Sequence, residues 1–117
     1  MTKTVAIIGT CDTKGPELAY VRDRLKSLRV NAMVIDSGIL GEPLGIVPDI
    51  DRATAATYGG TTIQALRSAG SRGKAVRGMR EALRELMMEL YREKKIDGAI
   101  GMGGAEGAVM SAAAMMM

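Results

Sequence analysis

The chain has 117 residues, 47% apolar and 25% charged, enough for one globular domain and too rich in core-forming side chains for disorder. A single cysteine and no histidine exclude an internal disulfide, zinc sites built on Cys and His, and triads with a histidine base. A net charge of +3, no Phe or Trp to stack on bases, no long apolar run and no basic-then-apolar leader argue against nucleic acid, a membrane span and a signal peptide, and fit a cytoplasmic setting.

Thr4 to Gly9 reads as a short, continuously apolar strand of the central parallel kind. The turn Thr10-Cys11-Asp12-Thr13-Lys14-Gly15 follows, with Pro16 at the first helical position and Glu17 near the positive end of the helix dipole. Leu18, Val21, Leu25 and Leu28 recur at helical spacing, and Asn31 to Asp36 forms a second strand. A β-α-β unit with so short a connection predicts parallel strands and a right-handed crossover.

Residues 37–43 read as a loop, and Pro48-Asp49-Ile50-Asp51 as the cap of a short helix through Arg52–Ala56 that Gly59-Gly60 ends. Thr61 to Ala69 adds a helical turn or two. Gly73 to Lys95 is the clearest helix, with Val76, Met79, Leu83, Leu86, Met87 and Leu90 in a stripe. Its row of Glu81, Glu85, Glu89 and Glu93, flanked by arginines, reads as a solvated face. Residues 97–102 form the third strand. Ala105 to Met117 would be a closing helix, apolar nearly all round, which must be buried by an oligomer partner or by the remainder of a larger parent protein.

Each glycine-rich turn follows a strand and opens a helix, an arrangement whose free N–H groups attract anions. In an open α/β sheet such ends meet beyond the carboxyl ends of the strands. Thr10 and Thr13 offer hydroxyls to phosphate oxygens, Lys14 a mobile charge, and the Gly103–Gly104 amides a nest, within the turn Gly103-Gly104-Ala105-Glu106-Gly107. Asp36 ends the second strand, where dinucleotide folds place an acid on ribose hydroxyls. Ser71 is a candidate N-cap, and Arg72 has the fork geometry that suits phosphate. Asp12 or Glu106 could hold Mg²⁺ through water beside phosphates, though Glu106 could equally stabilise a helix start. Cys11 reads as a small packed residue rather than a nucleophile.

Four collinear segments carry a family resemblance. Ile8-Gly9-Thr10-Cys11-Asp12-Thr13-Lys14-Gly15-Pro16-Glu17-Leu18 resembles the opening motif of the Tm-one-like ATP-binding domain family. Asp36-Ser37-Gly38-Ile39-Leu40-Gly41, Ser71-Arg72-Gly73-Lys74-Ala75-Val76 and Ile96-Asp97-Gly98-Ala99-Ile100-Gly101-Met102-Gly103-Gly104 resemble its second, third and fourth motifs. The resemblance implies a Rossmann-like N-terminal domain, followed in the family by a second domain. It also implies ATP contacts at Thr10, Asp12, Thr13, Lys14, Asp36, Arg72 and the Gly103–Gly107 turn. Where the family usually has Gly-Gly-Ser-Gly-Gly-Thr, this chain reads Gly103-Gly104-Ala105-Glu106-Gly107-Ala108, which removes hydroxyl ligands and adds a negative charge.

The expectation is a three-layer, Rossmann-like α/β domain over residues 1–117, an incomplete part of a larger N-terminal domain, with three parallel strands in order 2-1-3, that binds ATP. The alternatives are an interaction module docking through its Met- and Ala-rich terminus, or part of an enzyme acting on small phosphorylated or carboxylated substrates.

Overall fold

The structure, a computed structural model, describes residues 3–102. The elements run β1 (Thr4–Gly9), α1 (Cys11–Ser27), β2 (Asn31–Asp36), α2 (Arg52–Thr57), α3 (Ile63–Arg67), α4 (Arg72–Arg92) and β3 (Gly98–Gly101). The sheet is parallel throughout and ordered β2-β1-β3, as the sequence predicts. The closing helix expected over 105–117, and the turn Gly103, Gly104, Ala105, Glu106 and Gly107, lie outside the described residues.

β1 is the central strand, and its period-two alternation feeds two cores. Ala6 and Ile8 join Ile35 against Met79, Leu83, Leu86, Met87 and Leu90 of α4, with Ala55, Ala56, Ile63 and Leu66 of α2 and α3 closing that layer. Ile7 and Val34 face the other way, onto Cys11 and Leu18 of α1 and Ile46. A strand apolar at every position is what a buried, two-faced role requires.

Local chemistry sets the boundaries. The α1 helix begins at Cys11, earlier than Pro16, because Thr13 and Lys14 both donate backbone N–H groups to Thr10 O, at 3.1 and 2.7 Å. Lys14 then leaves helical geometry at φ −124°, ψ 21°. Pro16, which has no N–H to bond back to Asp12, begins the regular stretch two residues later. Ser71 caps α4 by accepting Lys74 N–H at 3.2 Å, so that helix starts at Arg72. It ends at Arg92, short of the expected Lys95, and Lys94 turns the chain through φ 58°. Asp51 and Thr62 cap α2 and α3 in the same way.

Between β2 and α2 the chain covers the carboxyl-terminal end of the outer edge of β2. Asp49 and Ile50 donate N–H groups to Val34 O at 2.8 and 3.0 Å, and Ile50 O accepts Asp36 N–H at 3.0 Å. Ile50 thereby forms a parallel bridge with Ile35.

Candidate functional site

A cavity of about 890 Å³ opens at the carboxyl ends of β1 and β2. Thr10, Asp12, Thr13 and Lys14 line one side of it, and Ser71 and Arg72 at the start of α4 line another. The remaining wall is largely apolar: Ile39 and Leu40 after β2, Leu66 of α3, and Ala75 and Val76 of α4. Five sequence-nominated residues, Thr10, Asp12, Thr13, Lys14 and Arg72, therefore converge on one space although the chain separates the last from the others by nearly sixty positions.

Thr10 and Thr13 hydroxyls hydrogen-bond to each other across the turn. Lys14 Nζ stands 3.8 Å from Glu17 on the same helix, an exposed pair of small energetic weight. Asp12 accepts Gly41 N–H at 3.2 Å through one carboxylate oxygen, while the other lies 3.7 Å from Arg52.

Asp36 is placed differently. It is fully buried and does not line the cavity. One of its oxygens accepts the N–H groups of Cys11 at 3.1 Å and Gly38 at 2.8 Å, and the other accepts Arg52 Nε at 2.9 Å. Its carboxylate thus ties the end of β2 to the start of α1 and to α2, beneath the cavity floor.

Arg52 and Arg67 were not singled out by the sequence. Arg52 bridges Asp36, Asp12 and the carbonyl of Gly41. Arg67 donates to Ile39 O at 2.7 Å and Leu40 O at 2.9 Å, fixing the loop that forms the cavity's rim. A signal existed for Arg52: a cation in the first turn of a helix opposes the dipole and implies an anionic partner elsewhere. Ser37, within the second motif, is also on the wall and fully buried. A Cβ on Gly38 would sit 2.6 Å from Arg52 Nη2 and 2.7 Å from Asp12 Oδ1, so a larger residue would have to push those side chains aside.

Cys11 is fully buried, and its burial, together with the neighbouring Asp36 carboxylate, pushes the thiol up to about 12. A thiol that keeps its proton is no nucleophile at neutral pH, which agrees with its reading as a packed residue.

Residues 3–117 match the N-terminal domain of an uncharacterised protein family, UPF0261. The chain belongs to the UPF0261 family. It is similar to a UPF0261 protein of Clostridium tetani, with 34% identity over 115 residues, 98% of this chain and 28% of that protein. A UPF0261 protein of Brucella suis is 33% identical over 103 residues, 88% of this chain and 24% of that protein. The chain therefore spans about a quarter of the length of these UPF0261 relatives. Among its described residues no helix is long and apolar enough to cross a membrane.

Proposed function

We propose that this UPF0261 domain binds a nucleotide, with ATP the ligand that fits best. The observation that carries the reading is the convergence of the β1–α1 turn and the start of α4 on one cavity. Its volume falls in the range of small-molecule sites, about 300–1,000 Å³. Lys14 and Arg72 supply cationic groups for phosphates, and the Thr10–Thr13 hydroxyl pair, which spends one proton on its mutual bond, supplies one neutral donor. The aliphatic wall of Leu66, Ala75 and Val76 suits a base held by packing rather than by aromatic stacking. In this reading a magnesium ion beside the phosphates would be held through water by Asp12, in exchange for its present contacts with Gly41 N–H and Arg52. The first three motifs that resemble the Tm-one-like ATP-binding family support the same ligand, whereas the fourth continues into a turn that lacks the family's hydroxyls.

Calorimetric titration with ATP, ADP, NAD and inorganic phosphate tests the reading. ATP should bind, and Lys14→Ala and Arg72→Ala should each weaken it by about tenfold or more, the loss of a charge-assisted contact. Indifference to every nucleotide would end the proposal.

A further inference from the structure

We infer that Ser37, rather than Asp36, is the residue that hydrogen-bonds the sugar of the bound ligand; this rests on the nucleotide reading above. Ser37 is fully buried and lines the cavity, yet its Oγ has no hydrogen-bond partner among the described residues. An orphaned buried hydroxyl is uncommon and unfavourable unless a ligand completes it. Asp36 is unsuited to the task, since its carboxylate is already engaged by Cys11 N–H, Gly38 N–H and Arg52.

Position identifies the ligand group. Ser37 N–H donates to Gly9 O at 2.9 Å, so the serine stands directly beside the strand end that opens the Thr10–Lys14 turn. With phosphates on that turn, the next part of a nucleotide is its sugar, which carries hydroxyls. A serine hydroxyl both donates and accepts, so it can pair with a sugar hydroxyl in either sense. Ile39 and Leu66 on the adjoining wall then meet the base.

The test measures ATP, 2′-deoxy-ATP and 3′-deoxy-ATP binding by calorimetry on the 117-residue chain and on Ser37→Ala, with thermal melts of both. The wild type should bind one deoxy analogue about five- to tenfold more weakly than ATP. Ser37→Ala should bind ATP as weakly as that analogue and should discriminate no further. Its melting temperature should not fall, because the change removes an unsatisfied group. Equal wild-type affinity for ATP and both analogues overturns the inference, without need of the variant, and leaves nucleotide binding intact. So does Ser37→Ala that binds ATP like the wild type. No nucleotide binding by the wild type overturns the ligand reading itself, and the sugar contact with it.

Discussion

Arg52 is buried and serves two carboxylates, Asp36 at 2.9 Å and Asp12 at 3.7 Å. Removing one member of such a cluster strands the others in a dry site. Arg52→Met is expected to destabilise the fold by about 3–5 kcal/mol in urea unfolding. Adding Asp36→Asn should recover part of that loss, and a cycle with strictly additive losses would refute the coupling. Linear sequence hides this cluster, because its members come from the β1–α1 turn, the end of β2 and the start of α2, and no periodicity relates them. Cys11 was legible by contrast: a small apolar side chain directly after a buried strand packs inward. Its folded thiol keeps its proton to about pH 12, whereas an unfolded one ionises near 9.0. Above pH 9.0 the unfolded state therefore holds fewer protons, so stability is intact below that value and declines as pH rises towards 12. Thiol reagents at pH 8 should label Cys11 only after denaturation; rapid labelling of the native protein would contradict its burial.

Elements were read from the sequence most accurately where a cap or a buried stripe marks them. The strands Thr4–Gly9 and Asn31–Asp36 were legible to the residue, because short apolar runs end abruptly in polar or glycine positions. Ser71 likewise announced α4. The start of α1 was harder, since a turn closed on Thr10 O merges into the helix ahead of Pro16. Gly15 shows the same limit. Within the sequence it belongs to an anion-binding turn, but in the fold a Cβ there would lie 1.7 Å from Leu44 O, so the residue is small because the loop crosses it. Gly15→Ala should cost about 1–3 kcal/mol or displace that loop, measured by thermal unfolding; an unchanged midpoint would refute the close approach. At α2, the Thr54 N–H holds the Asp51 carboxyl below its ordinary 3.8. The capping contribution is present above that value and fades as pH falls through the lowered folded value, because the unfolded state then takes up protons first. Asp51→Ala should cost about 1 kcal/mol at pH 7, and Asp51→Asn, which keeps the cap, should lose the acid sensitivity.

For the whole molecule, both cores lean on β1, hydrogen-bonded on its two sides. Hydrogen exchange should accordingly find the amides of Ile7 and Ile8 among the slowest, opening only with global unfolding, while α3, five residues long, exchanges early. Fast exchange in β1 would contradict its central place. This much of the architecture was legible: two-faced apolar strands, a short crossover and handedness leave few topologies to choose from. The cavity's apolar wall was not, because Ile39, Leu66 and Val76 look like core residues until the packing of α3 against α4 leaves them facing a space.

The bridge from Ile50 to Ile35 covers the Val34–Asp36 end of one margin of the sheet. The amide and carbonyl of Val34 and the amide of Asp36 are engaged there, so this stretch offers a foreign strand no pairing groups, a common safeguard against edge-to-edge aggregation.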